Sequence, residues 1–240
     1  RYPITGEQVR PDSVNRVPLG KVFNFVNIRD PHTRVLCEVC VVVSFFPGVR
    51  CPLLVLNGHQ GSAKTTTARV IQKLLDPSAA DIGPIPDKAK EIAQLLAHHR
   101  FVGFDNLSEI KNGVSDLLCQ AVTGGVFKKR RLYTDEEDVV LKMDSVVAVT
   151  GINIVAERPD LLDRALLFRL ERVHRSRRVD EATLWQEFEK NRPGLLATIF
   201  STISDALVIL PKVKVKNAPR MADFYRVGIA VSRALGYKNG

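Results

Sequence analysis

The first residues that could do chemistry lie in "NGHQGSAKTTTARV", residues 57–70. Gly58 is followed by four residues and then Ala63-Lys64-Thr65, close to the phosphate-loop pattern G-x-x-x-x-G-K-[ST]. In such a loop, successive backbone N–H groups point at phosphate oxygens. The helix that follows adds the positive end of its dipole, and the lysine neutralises the β/γ oxygens. Gly58, His59, Gln60, Gly61, Ser62, Ala63, Lys64, Thr65 and Thr66 are therefore the candidate nucleotide cradle. Lys64 would supply the point charge, and Thr65 would hold Mg2+. Ala63 replaces the glycine of the pattern but keeps its backbone N–H. Its methyl is tolerated if the backbone there is already helical.

Other polar residues stand at the ends of apolar runs. Asp105 follows "FVGF" and would reach Mg2+ through water; the alternative is a buried structural acid. Asn106 comes next, where many phosphate-loop ATPases carry the glutamate that orients the attacking water. An amide can position water but cannot take its proton, so either hydrolysis is slow or another acid such as Glu109 serves. Thr150 ends "VVAVT" as a candidate sensor of the γ-phosphate, with Asn153 as its competitor. Arg158 and Arg164 flank the short "PDLLD" turn. An arginine there can act as a finger in a neighbouring subunit's site, or pair with Asp160 or Asp163 on its own. Arg220 and Arg226 open a late helical stretch, with a lid contact to phosphate or an ion pair as alternatives.

Lys128, Lys129, Arg130 and Arg131, followed by Leu132-Tyr133, form one arm of an expected hairpin around the acidic "TDEED". On a strand, alternate cations face opposite ways, so about two of the four could track a phosphate backbone while Tyr133 offers a stacking ring. A merely solvated charge run is the plain alternative.

These residues need elements to hold them. "CPLLVLNG" reads as a buried strand entering the loop, and "TTTARVIQKLL" as the helix leaving it. "ADIGPI" suggests a brief strand, "DKAKEIAQLLAHH" a helix, "RFVGFDN" a second buried strand, and "LSEIKNGVSDLLCQAV" a helix closed by Gly124-Gly125. "SVVAVTGIN" and "ALLFRLE" are further strands. Upstream, Asp30-Pro31 opens a buried helix that Pro47-Gly48 stops. After Val173 the pattern is helical. Alternating strands and helices predict an α/β, three-layer, mainly parallel sheet followed by a helical lid. The expected divisions are a helical lead-in (1–50), a core with its basic hairpin at 125–142 (51–173), and a helical subdomain (174–240).

Composition bounds the function. Lys and Arg number 35 against 26 Asp and Glu, a net charge of +9, which favours polyanionic partners. No uninterrupted run of about 18 apolar residues occurs, so no membrane span is expected. The four cysteines are scattered; Cys37 and Cys40 sit in an apolar run with no second pair nearby, and read as small buried hydrophobes rather than a zinc site. Free thiols and the lack of a leader suggest a cytoplasmic setting. A chain opening on Arg1 reads as part of a longer protein.

Taken in order, "GHQGSAKTTTARVIQKLLDP", "FVGFDNLS", "VTGGVFKKRRLYTD", "TGIN", "RPDLLDRAL" and "PRMADF" resemble a family of bacterial ATP-binding proteins often carried on phage and mobile elements. That family is similar to the AAA+ class, in particular to superfamily-3 helicase and phage primase-helicase ATPases. The resemblance spans roughly residues 20 to 235. It implies a P-loop NTPase fold (AAA+/ASCE-like), with ATP and Mg2+ on Lys64, Thr65 and Asp105. It further implies Thr150 as sensor, Arg164 as finger, and the basic hairpin gripping single-stranded or forked DNA in the pore of a homo-oligomeric, hexameric ring. Ala63 and Asn106 depart from the general pattern. The readings that follow are a DNA-translocating ATPase motor, a nucleotide-gated binding module with little hydrolysis, and a small-molecule kinase, which the charge and the basic hairpin argue against.

Overall fold

The computed structural model describes residues 7–78, 81–107, 110, 112–130, 138–152 and 159–237. Its centre is a parallel sheet of four strands, β1 (Leu53–Asn57), β2 (Phe101–Phe104), β5 (Val146–Gly151) and β6 (Ala165–Arg169), in the spatial order β2-β5-β1-β6. The two strands between β2 and β5 in sequence, β3 (Val126–Arg130) and β4 (Asp138–Lys142), form a separate antiparallel hairpin.

Strand alternation divides the core into two layers. Leu54 and Leu56 of β1 face one side, with α1 (Pro31–Val43), α2 (Lys64–Leu75), α6 (Glu181–Ile209) and α7 (Ala222–Ala234). Leu53 and Val55 face the other, with α3 (Ala89–His98), α4 (Asn112–Thr123) and α5 (Pro159–Leu162). The result is three layers. Near-continuous apolar runs such as "LLVL" and "VVAV" are what a sheet covered on both faces requires.

The helix boundaries follow from local chemistry. Asp30 caps α1, its carboxylate accepting from the Thr33 N–H, and Pro31 occupies the first turn, where no donor is needed. Cys37 and Cys40 lie fully inside this helix layer, and burial pushes the Cys37 thiol up to about 12. Both behave as hydrophobes. Expected "ADIGPI" gives only one bridge, Gly83 to Phe104, because Pro84 and Pro86 remove ladder donors on either side of Ile85.

α6 differs from a simple surface helix. It is long and apolar enough to cross a membrane by length and composition, yet Phe188, Leu195, Leu196 and Ile199 pack into the layer shared with α1 and α7. Pro193 lies within it, and the carbonyls of Pro193 and Gly194 accept from the N–H groups of Asp12 and Val17 at 3.0 and 3.2 Å. The N-terminal segment is thereby stitched to a helix some 180 residues later. Gly194 is what permits the approach: a Cβ there would stand 2.5 Å from the Val17 side chain.

Candidate phosphate and nucleic-acid sites

The loop between β1 and α2 sits at the C-terminal edge of the sheet. Its entry is fixed by backbone bonds to the ends of both neighbouring strands: Gly58 N–H to the Gly151 carbonyl at 3.2 Å, and Leu170 N–H to the Asn57 carbonyl at 2.7 Å. Gly58 is required there, since a Cβ would overlap the Leu170 carbonyl and stand 2.7 Å from the Ser62 hydroxyl. Gly61 has φ +77, open only to glycine at low cost.

Ala63 corrects the sequence expectation. Its backbone is not helical but left-handed, φ 61 and ψ 35, immediately before α2. The glycine of the pattern is thus replaced by alanine at a position where glycine is the relaxed choice, at a cost of about 1–2 kcal/mol.

Lys64 folds its ammonium back over the loop, donating to the carbonyls of Gly58 (2.6 Å) and His59 (3.1 Å). Burial lowers its pKa, while the nearby Asp105 pulls the other way. Such a cation, held by carbonyls at the N-terminal turn of α2, fits a phosphate chain. The Ser62 hydroxyl is buried without a hydrogen-bond partner, a further polar atom in the cradle. His59 and Gln60 are exposed at its rim, and Thr66 lies one residue into α2 past Thr65.

Sheet register brings the acidic end to the loop. Phe104 lies opposite Val149, so Asp105 emerges beside Thr150. The Thr150 hydroxyl donates to Asp105, and Thr65 donates to the same carboxylate at 3.0 and 3.1 Å. The Asp105 carboxylate and the Thr65 hydroxyl are a pair of oxygen donors of the kind Mg2+ takes. Asn106 is exposed, with φ 57, and its N–H donates to Asp105 and to the Thr150 hydroxyl. This left-handed backbone is one that asparagine adopts more readily than glutamate. Glu109, Asn153 and Arg158 lie outside the described residues.

Beside the loop opens a cavity of about 460 Å3, lined by Phe23, Asn27, Arg29, Arg34, Ala63, Thr66, Arg177, Arg178 and Leu184 among others. Asn27 ties its walls together. Its amide donates to the Ser62 carbonyl at 3.0 Å and to the Glu171 carbonyl at 2.6 Å, joining lead-in, loop and the exit from β6. Arg34 lies over the Phe23 ring, 4.9 Å from its centroid. Sequence reasoning missed this wall, because its residues come from segments separated by more than a hundred positions. The one signal available was the clustering of arginines at 172–178 directly after the last strand.

Arg164 lies at the opposite end of the sheet. Its carbonyl accepts from Leu53, the first residue of β1, whereas Lys64 follows the last. The guanidinium is largely buried and pairs with Asp160 at 2.5 Å, and Arg220 joins the same carboxylate at 2.9 Å. These two arginines, Arg164 foremost, hold the Asp160 carboxyl below its ordinary range.

The basic hairpin is present as an antiparallel pair, Lys128 opposite Val140 and Val126 opposite Lys142. Phe127 and Leu141 turn inward against the α3–α4 layer, leaving Val126, Lys128, Val140 and Lys142 exposed. Lys142 is a cation of this face that the four-cation run did not suggest. Lys129 and Arg130 continue the strand backbone; their side chains, like all of Arg131 and Tyr133, lie outside the described residues.

The family model described as Actinomycete integrative conjugative element replication protein matches residues 19–239. Among curated proteins, nothing matches the chain. Of solved structures, the A form apo structure of the NrS-1 C terminal region is 14% identical with a TM-score of 0.58, over 92% of this chain and 49% of that one. Another apo structure of the NrS-1 C terminal region (305-718) is 12% identical with a TM-score of 0.55, over 97% and 54%. The chain spans about half the length of these structures, and the likeness is one of fold.

Proposed function

The chain belongs to the replication-protein family of actinomycete integrative conjugative elements, and we propose that its sheet is a P-loop ATPase of the AAA+/ASCE type whose turnover moves DNA. The observation that carries this reading is the convergence of Lys64, Thr65, Asp105 and Thr150 on one point at the C-terminal edge of the sheet. The loop N–H groups and Lys64 would take the β- and γ-phosphates, and the neighbouring cavity would take the nucleoside. Thr65 and Asp105 would hold Mg2+, which neutralises charge between the phosphates. Thr150, already bound to Asp105, would report the state of the γ-phosphate to that carboxylate. The hairpin's exposed Lys128 and Lys142 would meet single-stranded or forked DNA. The helices after residue 174 would act as a lid, and Arg164 as a finger toward a neighbour in a homo-oligomeric ring, for which a hexamer is the working number.

One observation favours a second reading, a nucleotide-gated module that hydrolyses little: Asn106 is held left-handed beside Asp105 and brings no proton acceptor.

Calorimetric titration of ATP with Mg2+, followed by ATP turnover with and without single-stranded DNA, tests both. Lys64→Ala should abolish binding, because the loop loses its point charge on the phosphates. Unchanged affinity in that variant overturns the phosphate-loop assignment. Tight binding with turnover that DNA does not stimulate favours the gated module.

A further inference from the structure

The connection between α6 and α7 carries four cations, Lys212, Lys214, Lys216 and Arg220, with no acidic residue between Asp205 and Asp223. One 3-10 turn, Leu210–Lys212, ends α6, and the chain leaves it extended at Val213, φ −79 and ψ 112. Burial then alternates. Val213 is 5% exposed and Val215 packs half-buried against the core, whereas Lys212, Lys214 and Lys216 are all exposed. This is the two-residue period of a strand in a segment that pairs with no strand.

The valines decide which way the lysines face. Val213 donates its N–H to the Leu210 carbonyl at 3.1 Å, and Arg226 of α7 leans on the same carbonyl. The comb is therefore fixed before any ligand arrives, which lowers the ordering cost of binding. Among the described residues, the lysines engaged in ion pairs are Lys73 and Lys88, not these three. Cations two residues apart on an extended chain stand about 6.6 Å from one another, a spacing comparable to that of successive phosphates along a nucleic-acid strand. Tyr225, adjacent to Arg226 in the first turn of α7, is 43% exposed and can offer a ring to an unpaired base.

We propose that Lys212, Lys214 and Lys216, with Arg226, form a second nucleic-acid contact that grips the sugar-phosphate backbone, separate from the β3–β4 hairpin. The inference rests on the nucleic-acid reading above for its ligand, but not on the phosphate loop or on the hairpin. It places a grip on the helical subdomain, so that movement of those helices relative to the sheet would carry a strand with it.

The test is the triple variant Lys212→Ala, Lys214→Ala, Lys216→Ala, whose side chains are exposed, with its melting temperature measured as a check on folding. Fluorescence anisotropy with a labelled oligo-dT, over a salt series in ATP and Mg2+, reads the phosphate contacts. The log–log salt slope should flatten by about 2, roughly 0.7 for each of three lost contacts, with ATP affinity unchanged. Lys128→Ala with Lys142→Ala should flatten it independently, and the five-fold variant should show the sum. A triple variant with the parental slope overturns the comb while leaving the hairpin reading intact. A parent protein that binds neither DNA nor RNA oligonucleotides overturns both. Loss of binding to anionic vesicles, with oligonucleotide binding unchanged, makes the comb a lipid contact and overturns the proposal.

Discussion

Ala63 and Asn106 are the two places where this chain departs from the usual phosphate-loop ATPase pattern, and the backbone accounts for them in opposite ways. Asn106 suits its left-handed conformation; Ala63 does not suit its own. Ala63→Gly should stabilise the fold, since removing the Cβ relieves more than the added freedom of the unfolded chain costs. A gain of about 1 kcal/mol, or roughly 2–4 °C in melting temperature for a domain of this size, is expected. ATP affinity should hold, because the N–H remains. A fall in melting temperature would show that the loop is not left-handed at residue 63. The loop motif was legible from spacing alone, but the conformation of Ala63 was not: a methyl group reads the same in a sequence whether φ is positive or negative.

Among the elements, most of the sheet and its helices could be read from periodicity, because each strand is a short apolar run and each helix carries its own stripe. What escaped was what each helix touches beyond the sheet. α1 shows this best. Glu38 is 5% exposed in the middle of an apolar helix and accepts from the Tyr237 hydroxyl at 2.7 Å, tying α1 to the chain just after α7. Burial pushes the Glu38 carboxyl up, against the pull of Tyr237 and Arg34, and burial with Glu38 beside it pushes the Tyr237 phenol up to about 12. A carboxyl whose pKa rises on folding favours the native state fully below its unfolded pKa, and that benefit is lost as pH climbs through the raised value. Glu38→Gln removes the buried charge and leaves Tyr237 a partner. The variant should melt higher than the parent near pH 7–8, with the difference shrinking as pH falls through the carboxylate range. Melting curves across that range decide it, and a variant less stable at neutral pH would mean that the charge is held favourably.

At the scale of the whole molecule, the sheet separates Lys64 from Arg164. Lys64 follows the last residue of β1 and Arg164 bonds to the first, so a protomer cannot bring its own Arg164 to its own loop. If Arg164 serves turnover, it does so in another subunit, and activity must rise more steeply than protein concentration where assembly is incomplete. Arg164→Ala should leave ATP affinity near the parent's and cut turnover by on the order of 10³-fold. It should also release Asp160 to Arg220 alone. Mixing Arg164→Ala with Lys64→Ala subunits should restore some turnover, since mixed assemblies hold sites with an intact loop from one and an intact arginine from the other. Mixed assemblies that form yet stay inactive would assign Arg164 to its ion pair only. The composition announced a basic protein, but which cations are committed to ion pairs and which stand free is a property of the folded surface.

The stitching of residues 12–17 onto Pro193 and Gly194, and of Asn27 onto Ser62 and Glu171, has a consequence for how the molecule is made. During synthesis, residues 12–17 are made before their backbone partners on α6, which follow about 180 positions later in the chain. Asn27 has both its partners, Ser62 and Glu171, before α6 is made, whereas the contacts of residues 12–17 must wait for that helix. A chain stalled before residue 181 would keep the ties of Asn27 to Ser62 and Glu171 but would lack the clamp that α6 places on residues 12–17.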